Sequence, residues 1–369
     1  MMKAEGKLGV RELIGILVLS VGTRATDDTP VLYTIGADNA GWIVPLMSGV
    51  LSIISFLFLL KVFSAHKHKD LIDVLTHLFG KWVGIMVAVL LLCILIGGFT
   101  AETAIYTNII STMYFPKTPL LILYALIMIV SVYGARTGLQ QIGSVSWMVL
   151  AYVKITMGLA LIITLWQGVH FYMFPLLGPG VMEIAKESIT KTSTYIDFLV
   201  IGLLLPHIRN FKDFKRGTLI ALLFVTLEIT LATLAFILLF DYITVSNLNY
   251  PFHESIRYIR IGFLTNIETF FFPFWLIASF IKFSFYLYIV TYLYGRLFRI
   301  QSIKKILPIM AVVILFLGMF PETPTFTIFS VKENLMTIVS PFFLLLPFLM
   351  WTIAKLKGDF RNEKQKENH

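Results

Sequence analysis

The sequence predicts an all-α integral membrane protein that crosses the bilayer about ten times. Of its 369 residues, 57% are hydrophobic and only 14% are charged, whereas a soluble chain carries about 45–50% apolar and about 25% charged residues. The apolar residues form continuous runs, and a helix needs ~20 of them to cross a bilayer. Because these runs do not alternate with polar residues, they predict helices and not the strands of a membrane barrel.

Ten such runs follow one another along the chain, separated by charged or turn-rich breaks. We number them spans 1 to 10; they cover about 12–35, 42–63, 82–111, 118–134, 142–167, 194–208, 217–240, 264–298, 305–320 and 334–354. We expect a single transmembrane domain over 1–355, made of two five-span repeats at about 10–168 and about 193–355. The remaining residues, 356–369, form a charged tail that we expect to be cytoplasmic and disordered.

Lysine and arginine are distributed unevenly between the two sides of the membrane. If the N-terminus is cytoplasmic, 21 of the 30 basic residues lie in inside segments, six lie in outside loops and three lie within spans. Positive residues accumulate on the cytoplasmic side of membrane proteins. The distribution therefore predicts that both termini are cytoplasmic. It also accounts for the net charge of +9 without nucleic acid as a partner.

Spans 1 and 6 are interrupted by residues that are unusual at membrane depth. Residues 22–30 of span 1 include Arg24, two aspartates and a proline, and the short span 6 contains Gly202 and Pro206. Each is the first span of a five-span half. The pair predicts an inverted-repeat transporter architecture, in which broken helices 1 and 6 expose backbone groups to a ligand near the midplane. For span 6, the alternative is a proline kink without a function.

Ionisable side chains within the spans are candidate ligand contacts, because charges at membrane depth are costly and usually face the protein interior. Helical spacing places Gly98 and Glu102 on one face of span 3, and Lys282 and Tyr286 on one face of span 8. An acidic and a cationic face suit the ammonium and carboxylate of a zwitterion; the alternative is a buried ion pair that fixes helix packing. The full predicted ligand site is Gly22, Thr23, Arg24, Ala25, Gly98, Glu102, Asp197, Lys282 and Tyr286.

The sequence lacks the motifs of several other functional classes. The seven histidines show no metal-ligand spacing, no nucleotide-binding loop is present, and the single cysteine, Cys93, excludes a disulfide framework. No nucleophile and base occur in a catalytic arrangement. We therefore predict that the protein has no cofactor, binds no metal and is not an enzyme.

Short motifs in a fixed order resemble those of one known family. They are Gly41-Trp42, Gly80-Lys81-Trp82, Glu102-Thr103, Pro175-Leu176-Leu177-Gly178-Pro179-Gly180, Leu204-Leu205-Pro206 and the segment from Trp275 to Tyr286. With these motifs the chain resembles the B subunit of the Ger-type nutrient germinant receptors of bacterial endospores. That endospore germination family belongs to the amino acid/polyamine/organocation superfamily. The resemblance extends over nearly the whole chain.

The resemblance implies a ten-helix, LeuT-like fold with a five-plus-five inverted repeat in the spore inner membrane or the cell membrane. It also implies a small germinant, often an amino acid, and work beside an A-type subunit and a lipoprotein C-type subunit.

Three features depart from the family pattern. Arg24 and two aspartates follow the glycine of the span 1 break, and Asp197 and Lys282 occupy positions that are commonly uncharged. The identity of the germinant therefore stays open.

Two functions compete at this stage. The first is a ligand-sensing receptor subunit; the second is a proton- or sodium-coupled amino-acid transporter of the same superfamily. Proton-coupled relatives in that superfamily carry a lysine in span 5 where others bind sodium, so Lys154 is the candidate residue for ion coupling. Both functions would use the same pocket.

Overall fold

The computed structural model describes residues 7–259, 268–300, 302–321 and 323–360, and this part of the chain is helical without a β-strand. Every predicted span is present. The unbroken spans are span 2 (Ile43–Ala65), span 3 (Lys81–Tyr114), span 4 (Leu120–Thr137), span 5 (Leu139–Gln167), span 7 (Phe211–Phe240), span 8 (Glu268–Leu297), span 9 (Ile303–Gly318) and span 10 (Pro324–Leu356). All of these except span 9, which has 16 residues, are long and apolar enough to cross a bilayer. The predicted all-α membrane fold is confirmed.

Span 1 is broken in the middle. Its first helix, Val10–Gly22, continues as a 3-10 turn over Thr23–Ala25, and the second helix, Thr29–Ala37, follows after a bend at 26–28. The Asp27 carboxylate accepts a hydrogen bond from the Thr29 amide at 2.7 Å. Proline is tolerated in the first turn of a helix, where an amide has no helical partner, and Pro30 occupies that position. The local sequence thus ends one helix and starts the next.

Span 6 is irregular over most of its length. A single α-helical turn, Asp197–Val200, lies between the 3-10 segments Thr192–Tyr195 and Ile201–His207, and the second of these segments contains Gly202 and Pro206. The helix Val181–Thr190 precedes span 6 at a bend of 43°. Both predicted interruptions are therefore present.

The two broken spans lie at the centre of the bundle. Residues 15–34 of span 1 and 191–205 of span 6 are buried without exception, and span 1 packs against spans 5, 7 and 8. Spans 3, 4, 5 and 9 form the outer wall and expose many of their apolar side chains. Irregular backbone is tolerated at membrane depth only where protein or a cavity shields it from lipid. Central placement of spans 1 and 6 meets that requirement.

Short helices occupy the longer connections between spans. Leu71–Phe79 links spans 2 and 3, and Tyr242–Asn247 and Pro251–Tyr258 lie between spans 7 and 8. The first of these is capped by Asp70, whose carboxylate accepts a hydrogen bond from the Asp73 amide at 2.8 Å. All three short helices lie between the ten predicted spans.

The following contacts between described connections join segments that are predicted to lie on the same side of the membrane. Leu8, before span 1, pairs with the backbone of His207 and Arg209 after span 6 at 2.8 and 2.9 Å. Asp359, after span 10, contacts His77 between spans 2 and 3. On the opposite side, Asn39 donates a hydrogen bond to the Met173 carbonyl. The last nine residues of the tail, 361–369, lie outside the described residues.

Cysteine labelling tests the orientation of the chain. In a Cys93→Ala background, we expect a cysteine at Lys186 to react with a membrane-impermeant maleimide in intact cells. A cysteine at Lys212 should react only after permeabilisation, because positive-inside placement puts the 6–7 connection in the cytoplasm. Both side chains are exposed, so access to the reagent depends on the side of the membrane. Labelling of Lys212→Cys alone in intact cells would reverse the predicted orientation.

Candidate ligand-binding cavity

A cavity of about 80 Å³ lies between the two broken spans and the inner faces of spans 3, 8 and 10. Its polar wall is formed by Arg24, Thr29, Glu102, Ser193, Thr194, Asp197, Tyr286 and Lys332, and its apolar wall by Ile94, Leu95, Phe99, Ala101, Ile196, Ile289, Val290, Leu335, Met336 and Val339, with Gly98 beside them. Ligand sites are commonly concave and mostly apolar with a few convergent polar groups. This cavity has that composition.

Arg24 lines the cavity and connects span 1 to three other spans. Its guanidinium lies 2.7 Å from an Asp197 carboxylate oxygen in span 6 and 3.3 Å from Glu102 in span 3. It also donates to the Thr194 carbonyl and, at 3.0 Å, to the Tyr286 hydroxyl in span 8. The flat, five-donor guanidinium suits such a multiple contact. The break in span 1 is thereby fixed to spans 3, 6 and 8.

Glu102 bridges Arg24 to a second cation, Lys282. The Lys282 ammonium is fully buried and lies 2.6 Å from the other Glu102 oxygen and 3.1 Å from the Tyr106 hydroxyl. The Tyr106 ring stacks on Trp275 with ring centres 5.1 Å apart. Trp275 in turn donates to the Thr26 hydroxyl in the break. Span 8 therefore contacts the break in span 1 directly through the Trp275–Thr26 hydrogen bond and indirectly through Glu102, which pairs with both Lys282 and Arg24.

Lys332 supplies a third cation that was not predicted as a site residue. The distribution of basic residues counts it among the six of the outside loops; in the structure it lies in a π-helical turn, Thr327–Lys332, at the start of span 10 and is buried. Its ammonium lies 2.6 Å from Asp28 and 3.5 Å from Asp27. Since two adjacent buried aspartates require positive charge nearby, their presence in span 1 was the sequence signal for this cation.

The structure places the predicted site residues in two groups. Arg24, Gly98, Glu102, Asp197 and Tyr286 line the cavity. Four others do not: Gly22, Thr23, Ala25 and Lys282. The irregular backbone begins later than predicted, because Gly22 is still helical and residues 23–25 form a 3-10 turn. Lys282 lies behind Glu102, so the expectation that it would meet a ligand carboxylate directly does not fit its position.

Lys154 forms a separate buried ion pair. Its ammonium lies 2.5 Å from a Glu228 oxygen in span 7. A Cβ added to Gly22 would lie 2.3 Å from the Glu228 carboxylate and 2.8 Å from the Lys154 ammonium. Gly22 therefore allows span 1 to approach this pair closely. The side chain of Lys154 also borders a small second cavity with Thr23 and Trp275.

Comparison with protein families matches the chain to the spore germination protein model over residues 29–327. The chain belongs to the spore germination protein family. It is 23% identical to spore germination protein KB of Bacillus subtilis (strain 168) over 98% of both chains. It is also 23% identical to spore germination protein A2 of the same organism, over 86% of this chain and 87% of A2. Spore germination protein XB of Bacillus anthracis is 22% identical, over 74% of this chain and 78% of XB.

Solved transporter structures share the fold of this spore germination protein. MhsT in complex with L-phenylalanine matches with a TM-score of 0.68 and 12% identity, over 92% of this chain and 88% of MhsT. Mhp1, a nucleobase-cation-symport-1 family transporter in a closed conformation with bromovinylhydantoin bound, matches with a TM-score of 0.62 and 13% identity, over 98% and 97% of the two chains. The LeuT-like fold is therefore confirmed, and the chain is a permease-like membrane protein.

Gly98 provides a test of the cavity that does not disturb its charges. A Cβ added at Gly98 would meet no described atom within 4 Å, so a larger side chain should enter the cavity without a clash. We expect Gly98→Leu to fold normally and, where an amino acid raises the melting temperature of the wild type, to lose that rise. Thermal shift of the purified protein against a panel of amino acids measures this loss.

Gly158→Leu is the matched control for Gly98→Leu. Gly158 also lies within a helix with open space at its Cβ, but it does not line the cavity. It should keep the full thermal shift. Equal shifts in both variants would show that the ligand binds elsewhere.

Proposed function

We propose that the protein is the ligand-sensing membrane subunit of a spore nutrient germinant receptor, and that its germinant is a small amino-acid-like zwitterion. The observation that carries the proposal is the cavity between the two broken spans, whose lining combines charged side chains of both signs with many apolar side chains. An amino acid with an apolar side chain matches this combination. Membership of the spore germination family supports the role in germination.

The charges on the cavity wall favour a ligand without net charge. Two cations, Arg24 and Lys332, and two carboxylates, Glu102 and Asp197, line it. An ion with uncompensated charge would upset this balance in a site shielded from water, where charges interact strongly. A zwitterion adds one charge of each sign, so the balance is kept.

We infer that binding exchanges ion pairs within the site. The ligand carboxylate pairs with Arg24, and the Asp197 carboxylate, now released from Arg24, accepts hydrogen bonds from the ligand ammonium. Neither protein charge is left alone in the interior, so the large penalty for stranding a buried charge is avoided. Since Arg24 and Asp197 belong to spans 1 and 6, the exchange weakens the direct link between the broken spans. Ligand binding then favours a conformation in which they separate.

Asp197→Asn tests this exchange. Asparagine has almost the same shape, and Arg24 keeps Glu102 as a partner at 3.3 Å, so the variant should accumulate normally. A hydrogen bond to a charged group contributes about 1.5–3 kcal/mol, which corresponds to roughly 10- to 100-fold in affinity. We expect the amino-acid concentration for half-maximal thermal shift to rise by that factor.

Glu183→Gln is the control for Asp197→Asn, because Glu183 is a partly exposed carboxylate that pairs with Lys186 on the same helix and lies outside the cavity. Its half-maximal concentration should equal that of the wild type. If Asp197→Asn also keeps the wild-type value, Asp197 does not contact the ligand. Glu102→Gln is less informative, since it would leave the fully buried Lys282 without its nearest carboxylate and cost ~3–5 kcal/mol of stability.

Within this proposal the protein works with an A-type subunit and a lipoprotein C-type subunit. It lies in the spore inner membrane or cell membrane, with both termini cytoplasmic.

Deletion of the gene should abolish germination with one class of amino acid, and the wild-type gene but not Gly98→Leu should restore it. Uptake of the same labelled amino acid into proteoliposomes separates the two roles. Germination without uptake supports a receptor, whereas concentrative uptake identifies a transporter.

The transporter alternative is favoured by one observation, the buried Lys154–Glu228 pair beside the break in span 1. If the Lys154 ammonium takes the place of a coupling sodium ion, ligand binding should not depend on sodium. We expect the thermal shift by the amino acid to be equal in sodium chloride and in choline chloride. A shift that appears only with sodium would contradict this role of Lys154.

A further inference from the structure

Two histidines and an aspartate meet at the face of the bundle that carries the N-terminal segment. His66 follows span 2, His77 lies on the helix Leu71–Phe79, and Asp359 follows span 10. One Asp359 oxygen, Oδ2, lies 3.5 Å from Nε2 of His66 and 3.3 Å from Nε2 of His77. The ligand atoms of the three residues all lie within 4.8 Å of one another.

The hydrogen bond between His66 and the Val62 carbonyl determines which ring nitrogen of His66 carries the proton. The other ring nitrogen presents a lone pair to Asp359. Nδ1 of His66 lies 3.0 Å from the Val62 carbonyl oxygen. A carbonyl oxygen can only accept, so Nδ1 is assigned as the protonated nitrogen. In the neutral ring, Nε2 then presents its lone pair to the Asp359 carboxylate, which has no proton to donate. Two acceptors at this distance repel each other unless a proton or a metal cation lies between them.

The two separations from Asp359 match those around a tetrahedral metal ion, and the third, between the two histidines, is no more than 4.8 Å. Bonds of about 2.0–2.1 Å from zinc to histidine nitrogen and carboxylate oxygen place neighbouring ligand atoms about 3.3–3.4 Å apart. The 3.3 and 3.5 Å distances agree with this geometry. A metal-bound histidine usually donates its second N–H to a carbonyl or carboxylate, and Val62 accepts such a bond from His66. The side chain of His77 is 38% exposed, so solvent has access for a fourth ligand.

We propose that His66, His77 and Asp359 bind a divalent transition metal ion, with Zn²⁺ as the best fit to two imidazoles and one carboxylate. The spacing of histidines along the sequence predicts no such site, because Asp359 lies 282 residues after His77. Only the fold brings them together. The ion would join the end of span 10 to the connection between spans 2 and 3.

Neighbouring contacts hold the segment after span 10 against the same connection. The Lys357 ammonium donates to the His77 carbonyl at 2.7 Å. The Lys61 ammonium lies over the Phe360 ring, 5.5 Å from its centre. These contacts place Asp359 at the site before a metal arrives. The two lysine ammonium groups also add positive charge near the site. The affinity for a cation should therefore depend most on the negatively charged ligand, the Asp359 carboxylate.

Cobalt(II) is the spectroscopic probe for this site. The full-length protein is purified in detergent through a tag without histidine, treated with a chelator, and titrated with Co²⁺. We expect one ion per chain with the intense visible absorption of four-coordinate cobalt, displaced by one equivalent of Zn²⁺. Zn²⁺ should also raise the melting temperature of the wild-type protein, because it binds the folded state.

Four variants separate this site from other metal binding. His77→Ala and Asp359→Asn should each lose the cobalt absorption and the stabilisation by Zn²⁺. His68→Ala, at an exposed histidine outside the cluster, and His369→Ala, in the tail, should keep both. Elution as a single species in size-exclusion chromatography shows that each variant is folded. Unchanged cobalt absorption in His77→Ala and Asp359→Asn, or weak octahedral absorption in the wild type, would overturn the proposal.

Discussion

The guanidinium of Arg24 holds the centre of this protein together. It extends from the interrupted part of span 1 to Asp197 and the Thr194 carbonyl in span 6, to Glu102 in span 3 and to Tyr286 in span 8. Each of these groups is buried. Two helices that are broken at membrane depth have lost many of their internal hydrogen bonds, so contacts between them must replace what each helix lacks. Arg24 makes most of the direct polar contacts between the two breaks.

The charges around Arg24 depend on one another because water does not reach most of them. Lys282 satisfies the second oxygen of Glu102, and Lys332 satisfies the aspartates that follow Arg24 in the chain. Removing one partner of such a network leaves another charge alone in the interior, which costs far more than the pair itself contributes. A ligand that brings both a carboxylate and an ammonium can enter this network without stranding a charge. That property links the electrostatics of the cavity to the proposed germinant.

The sequence was sufficient for the fold but only partly sufficient for the site. Apolar run length identified all ten spans. The polar residues of span 1 located its break because they cannot face lipid, and Gly202 and Pro206 indicated the break in span 6 because both residues weaken a helix. Helical spacing predicted that Gly98 and Glu102 share one face of span 3, and both line the cavity. It could not show that Lys282 lies behind Glu102, since depth along a face depends on neighbouring helices. Lys332 was missed because a charge near the end of an apolar run is ordinarily exposed, and only the fold places it beside Asp28.

The most direct test of the account is the position of a bound germinant. The measurement is an experimental structure of the purified protein, determined with the amino acid that gives the largest thermal shift. The account predicts density for the ligand between the two broken spans, with its carboxylate at Arg24, its ammonium at Asp197 and its side chain beside Gly98. Density outside this cavity, or ligand in the cavity with the Arg24–Asp197 pair still intact, would contradict it.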